Sequence, residues 1–320
     1  MTHAVVVSIT VLLLIVVQSA MYNAIGFICS IVAVFCDGGL LRLADALLLN
    51  DNVRIVMLTV SDVIAFLESF APPALAEEWD NVGLLLGRKD STVSSIMTCL
   101  TLTPDVAAEA VESGVDLIVS HHPVLFRGTK KITDSSNEGR MLLQLLENRI
   151  AVYSPHTSFD SAAGGVNRQL CDRFGIQNVR PMLPLENDET VGGGRYGNLK
   201  NSVTLREFLA TVSVAVNADY VEYCGDLDSV VANVGVACGA ASDFLKDAVR
   251  LNCDTFVTGE ARFHAALEAR GQRLNMILLG HYSSERPAIE SLVASLSLTF
   301  SEATVFASVR EADPLAVFRI

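Results

Sequence analysis

No two cysteines in this chain stand at C-x-x-C spacing, and their number, seven, is odd. They lie scattered at Cys29, Cys36, Cys99, Cys171, Cys224, Cys238 and Cys253. That pattern argues against a disulfide framework or a cysteine zinc knuckle, and for reduced, packed thiols in a cytoplasmic setting. Positive charge is scarce as well: 23 Lys and Arg stand against 36 Asp and Glu, a net charge of −13. A broad basic face is therefore not expected, and with it no nucleic-acid partner. No G-x-x-x-x-G-K-[ST] loop occurs, and Gly192-Gly193-Gly194 follows no strong apolar strand, so it reads as turn geometry. Charged residues make up only 18% of the chain and hydrophobic ones 51%, which favours a folded globular body over disorder.

The first 56 residues are a different material. Ala4 to Cys36 carries no charged residue and is longer than the roughly 20 residues needed to cross a bilayer. Yet no Lys or Arg precedes the run, so the positive start of a secretory signal is missing. Three readings of 1–56 stand: an over-extended start, a membrane anchor, or a cleaved signal. A membrane partner is expected only if this leader is translated. On all three readings the globular body begins near Met57, with Thr59 or Ser61 capping an amphipathic helix through Ile64, Phe66 and Leu67.

The body reads as an internal duplication. Residues 91–122 lie on 229–260 without a gap, with Asp105 meeting Asp243, Ala110-Val111 meeting Ala248-Val249, and Asp116 meeting Asp254. Each copy alternates strand, helix and strand, which predicts an α/β fold of two similar domains. In the first, Thr103-Pro104-Asp105 is a helix start with proline at the first turn, and Gly114 a stop. The expected division is a first half over 57–180, a connecting loop or hairpin over 181–202 rich in proline and glycine, and a second half over 203–320.

Chemistry-bearing residues gather at the strand ends. Leu117-Ile118-Val119-Ser120 runs into His121-His122-Pro123. Two further apolar strands, around Ile150–Tyr153 and Leu274–Leu279, are each followed by a His with an acid four residues on: His156/Asp160 and His281/Glu285. In open α/β sheets, ligands sit beyond the carboxyl ends of strands. Two related halves facing each other would bring both sets into one cleft. His121, His122, Asp160, His281 and Glu285 then offer three imidazoles and two carboxylates, a mix suited to two divalent ions, Zn, Mn, Fe or Co. Paired metals acidify a bridging water and clamp a phosphoryl or carbonyl oxygen. His156, and Glu260 at the position matching His122, are the candidate proton-transfer residues. Asp80, beside the only tryptophan, reads equally as a cap or as a cleft residue. Cys99 and Cys238 read as core, His264 as structural, and Ser283 and Ser284 lack the nucleophile elbow of a serine hydrolase.

Five stretches together resemble the NIF-three-like family, also called GTP cyclohydrolase I type 2-like proteins. They are Leu75-Ala76-Glu77-Glu78-Trp79-Asp80-Asn81-Val82-Gly83-Leu84, Asp116 to Pro123, Ser154 to Asp160, Thr258-Gly259-Glu260, and Gly280 to Arg286. The resemblance implies two similar α/β domains with a dinuclear metal site between them, liganded by His121, His122, Asp160, His281 and Glu285. It also implies a ring-shaped homohexamer built as a trimer of dimers. Some members carry a domain inserted between the halves; 181–202 leaves no room for one, which implies the short form. The family label does not settle the activity; the donor set favours metal-dependent hydrolysis of a nucleotide-like or other phosphorylated small molecule. The alternative is a non-catalytic metal-binding scaffold or metallocofactor chaperone.

Overall fold

The computed structural model describes residues 57–318. The leader 1–56, and with it the three readings of its apolar run, lies outside the described residues. Helix α1 (Val60–Phe70) opens the body. Thr59 is its cap: the Thr59 hydroxyl accepts from the Asp62 amide, and Asp62 accepts from the Thr59 amide at 2.9 Å. The helix buries Val60, Val63, Ile64 and Leu67, an i, i+3, i+4, i+7 stripe, against the first sheet.

The first sheet follows: β1 (Gly83–Leu86), β2 (Ser95–Cys99), α2 (Pro104–Glu112), β3 (Leu117–Ser120), α3 (Asn137–Glu147) and β4 (Ala151–Ser154). Thr103 caps α2, Pro104 fills its first position, and Gly114 follows the end at φ +64°. Strands β2, β3 and β4 run parallel, while β1 pairs antiparallel on the outer side of β4. Every residue of β3 is buried, as a strand covered on both faces requires. Two short helices, α4 (His156–Ser161) and α5 (Val166–Arg173), lead out of β4.

The second sheet begins earlier in the chain than the strand–helix rhythm suggests. Strand β5 (Ile176–Arg180) already belongs to it. Of the two readings of residues 181–202, loop or hairpin, the structure has the hairpin. These residues form the hairpin β6 (Leu183–Leu185) and β7 (Asp188–Gly193), then most of the ten-residue strand β8 (Arg195–Thr204). The glycine that suggested a loop is there for close approach. A Cβ on Gly197 would lie 2.3 Å from the Gln177 carbonyl oxygen, so only glycine lets β8 close against β5. Arg195 is buried and donates to the carbonyls of Gly192, Gly194, Ser161 and Ala162, which ties the hairpin to the chain just after α4.

Helix α6 (Leu205–Ala215) and β9 (Glu222–Cys224) come next, then β10 (Val230–Ala237), a short 3-10 turn, α7 (Leu245–Arg250), β11 (Thr255–Thr258), α8 (Phe263–Gly271), β12 (Asn275–Leu278) and the long α9 (His281–Thr299). Strands β10, β11 and β12 are parallel, in a sheet ordered β5-β8-β10-β11-β12-β9. The last strand, β13 (Thr304–Ala307), leaves its half and pairs parallel with β2, giving the first sheet the order β1-β4-β3-β2-β13. The expected boundaries of the halves are thus crossed twice, by β5 and by β13.

The fold is therefore mixed α/β, with parallel strands at the centre of each five- or six-stranded sheet and antiparallel pairs in both. The matched stretches carry matched contacts. Asp116 accepts from the amides of Ser94 and Ser95, and Asp254 accepts from those of Ala232 and Asn233. The next strand starts alike in both: the Ala151 amide donates to the Asp116 carbonyl, and the Asn275 amide to the Asp254 carbonyl. Among the described residues no helix is long and apolar enough to cross a membrane.

Candidate metal centre

The parallel pairing of β3 with β2 runs on for two residues past the strand end. The His121 amide donates to the Cys99 carbonyl at 2.9 Å and the His122 amide to the Leu100 carbonyl at 2.8 Å. Pro123 has no amide to continue the ladder. Ser154 and Ser120 hold the carbonyls of His121 and His122 from their hydroxyls. Both imidazoles therefore hang from a fixed backbone.

In the other sheet, Gly280, at φ +85°, turns the chain from β12 into α9, and His281 is the first residue of that helix. Glu285 lies one turn on and on the same face. Its carboxylate is buried, 2.9 Å from His122 Nε2 and 3.2 Å from His281 Nε2, while the two Nε2 atoms are 3.3 Å apart. A Cβ on Gly239, two residues past β10, would stand 2.4 Å from the Glu285 carboxylate oxygen, so a side chain there would displace that carboxylate. His122 Nδ1 meets the Thr101 hydroxyl at 2.7 Å, and His281 Nδ1 meets Glu260 at 3.2 Å. Such partners on the far nitrogen fix the tautomer and aim Nε2 inward.

The His156/Asp160 pair sits at the start of α4. His156 takes φ +28°, a conformation rare for a side chain with a Cβ. Its Nδ1 is held at 2.7 Å by Asp80, whose side chain is fully buried and also accepts from the Thr157 amide and hydroxyl. Asp80, which the sequence left between capping and lining, is thus the anchor of His156. Asp160 lies 3.5 Å from His121 Nε2 and also accepts from the Cys238 thiol at 3.2 Å.

Ligand-capable atoms converge as two groups, each within 4.8 Å: His122, His281 and Glu285, and His121, His122 and His156. His122 belongs to both. The second group contains His156 where the sequence reading put Asp160; Asp160 approaches through His121 alone. Thr101 is the contact that sequence reasoning missed. Its only signal was its neighbourhood, two residues beyond the end of β2. His264 is exposed against Phe263 and away from these groups. Ser284 holds the Gly239 amide and the His281 carbonyl, a structural role.

Burial pushes the His121 pKa well below the ordinary histidine range, so the imidazole is neutral, the form that ligates. Burial would raise Glu285, but hydrogen bonds from His122 and His281 hold it well below the usual carboxylate range. Burial, reinforced by the charge of Glu285, pushes Asp160 up to about 7. The hydrogen bond to Glu285 lifts His281 to about 9 against the pull of burial. Burial opposes ionisation of both Asp80 and His156, yet their mutual bond wins, lowering Asp80 to about 2 and raising His156. Burial and the neighbouring Asp160 keep Cys238 a thiol rather than a thiolate.

These residues fit divalent metal. His121 is 1% exposed, and neither ring nitrogen has a hydrogen-bond partner. A buried polar atom left unsatisfied costs about 1–3 kcal/mol, so a fold retains one only where something else fills the need. The Nε2 atoms of His122 and His281 and a carboxylate oxygen of Glu285 also lie within 3.3 Å of one another, close enough for one cation to take all three. Mixed imidazole and carboxylate donors suit Zn, Mn, Fe or Co.

Fold and site together define an α/β protein with a histidine–carboxylate centre competent for metal. The chain belongs to the Duf34/NIF3 (NGG1p interacting factor 3) family, whose sequence model matches residues 58–314. It is 34% identical over 230 residues to a GTP cyclohydrolase 1 type 2 homolog of Clostridium perfringens, covering 72% of this chain and 88% of that one. It is 34% identical over 264 residues to the protein NIF3 homolog of Schizosaccharomyces pombe, covering 78% and 94%. Its structure is similar to the crystal structure of the hypothetical protein SA1388 of Staphylococcus aureus, with TM-score 0.77, 26% identity, and coverage of 82% and 100%.

Proposed function

We propose that this protein is a metal-dependent hydrolase of a nucleotide-like or other phosphorylated small molecule, working through a two-metal centre in a cleft between duplicated halves. The observation that carries the reading is His121, an imidazole with both nitrogens buried and unpartnered, whose neighbour His122 meets two donors, His281 and Glu285, brought by the opposite sheet. The matched carboxylate contacts of Asp116 and Asp254 support the duplication. His122, His281 and Glu285 would hold one ion. His121, with Asp160 3.5 Å from its Nε2, would hold the second.

When bound, such ions acidify water and polarise a phosphoryl or carbonyl oxygen. The chain's own residues do the rest. Thr101 and Glu260 orient His122 and His281 from behind. Asp80 holds Nδ1 of His156, which leaves Nε2 as the atom that takes or gives a proton toward the imidazole pair. Glu260, half exposed and 3.2 Å from His281 Nδ1, can exchange a proton with solvent on that side of the site. The carboxylate of Glu285, buried and ionised, supplies the negative charge that draws cations in. We propose that the working assembly is a homohexamer with no nucleic-acid partner. Its acidity, −13, and exposed apolar side chains such as Val214 and Leu298 support both points.

The test is elemental analysis of the native protein, then a nucleotide and phosphoester panel assayed with the metal found. Two bound ions and turnover that collapses in His122→Ala support the hydrolase. Stoichiometric metal with no turnover across the panel, and transfer of that metal to a recipient apo-protein, would establish the scaffold or chaperone instead. A protein with no stoichiometric metal sinks both.

A further inference from the structure

The geometry points to a subsite for a planar aromatic ring at Trp79 and Phe126, so that the small molecule reaching the metal centre carries such a ring on one side and an anionic group on the other. This rests on the metal-centre reading and names the substrate class for it.

The chain has one tryptophan, and it stands 60% exposed; Phe126 is 48% exposed. Exposed apolar side chains are informative where they stand together, and these two do. Their ring centroids are 5.8 Å apart, and both rings contact His156, at 6.0 and 6.3 Å. His156 in turn contacts His121 and His122, at 5.4 and 5.6 Å. One imidazole therefore separates the exposed aromatic pair from the ligand histidines.

The pair is also held in place. Asp80, next to Trp79, is the buried anchor of His156 and Thr157. Asn81 donates from its side chain to the Leu125 carbonyl at 3.0 Å, strapping the Trp79 loop to the Phe126 loop. Leu125 is itself at φ +61°, a strained conformation that the strap supports. Rigid aromatics bind planar partners at little entropic cost. Beyond Phe126 a cavity of about 670 Å³ opens between the 123–129 loop and the first turns of α2 and α3. Its walls include Phe126, Arg127 and Met141, with Leu102, next in chain to Thr101, and Pro123, next to His122; Trp79 stands outside it, on the other side of Phe126. That volume is ordinary for a small-molecule pocket.

Because Trp79 is the sole tryptophan, its fluorescence reports this subsite alone. The full-length, metal-loaded protein is titrated with AMP and GMP, and separately with ribose 5-phosphate, which lacks only the ring. Saturable quenching by the nucleotides, absent with ribose 5-phosphate, is the expected result. By calorimetry, Trp79→Ala and Phe126→Ala should each bind the better nucleotide roughly tenfold more weakly, with Trp79→Phe restoring most of the affinity. Metal content should stay unchanged in all three. Equal binding with and without the ring, no saturable binding of either nucleotide, or wild-type affinity in both alanine variants overturns the subsite. So does a fluorescence change that follows protein concentration rather than nucleotide, since a second copy would then cover the pair. If the protein holds no metal yet ring-dependent quenching persists, the metal reading fails and the subsite stands.

Discussion

The two His-x-x-x-acid pairs share a spacing and differ in fate. His281 and Glu285 open a nineteen-residue helix, and both side chains turn to one point, where they meet His122. His156 and Asp160 open a helix of six residues, and the pair divides. His156 is tied back to Asp80, while Asp160 faces His121 and Cys238. Spacing on a helix sets which side chains share a face. What each then does depends on the partners that the rest of the fold delivers. In one pair the partner is a histidine from the other sheet; in the other it is a buried carboxylate from a loop 76 residues away in sequence.

The largest effect should come from the residue common to both groups. His122→Ala is expected to lower bound metal at both positions, read by elemental analysis, with circular dichroism and melting close to wild type, since the ring is partly exposed at a strand end. Next, Glu285→Gln should weaken metal binding more than Asp160→Asn, because Glu285 touches two imidazoles and Asp160 one. Equal losses in a competition titration against a chelator would erase the distinction between the two pairs. Asp80→Asn should cost about 10- to 100-fold in metal affinity or turnover, the usual toll of removing a partner behind a site imidazole. Wild-type behaviour would mean that His156 needs no anchor.

The smallest expected effect concerns the crossing of β13 rather than the site. Glu109 is buried and accepts from the Ser308 hydroxyl and from the amides of Val309 and Arg310, which clamps the chain after β13. Burial works against its charge, but these bonds and the charge of Arg310 hold its pKa below the usual value. A lowered folded pKa means that the clamp stabilises fully above the unfolded value, near 4.3, and fades as pH falls through the folded one. Hydrogen exchange should show residues 308–311 opening first on acidification below about pH 4. Glu109→Gln should lower stability at pH 7 by about 1.5–3 kcal/mol, read from urea melts, and should flatten that acid dependence.

Much of this was legible along the chain. The buried run before His121, the proline that stops it, the cap at Thr103 and the two His–acid spacings are local signals with local causes. The register of 91–122 on 229–260 sets Asp116 and Asp254 each just before a strand, where each accepts from two amides. What was not legible depends on distant pairing. Gly197 looks like a turn residue until β5 lies against it. Nothing near Thr304 announces that its strand returns to β2. Asp80 and Thr101 gain their roles only when His156 and His122 arrive beside them.

Anomalous diffraction from crystals of the native protein, collected at the edge of the metal found by elemental analysis, tests the account most directly. Two peaks are predicted per chain, one among His122, His281 and Glu285, the other beside His121 between Asp160 and His156. An empty map at both positions, or a metal bound elsewhere while His121 keeps its buried nitrogens unpartnered, would contradict it.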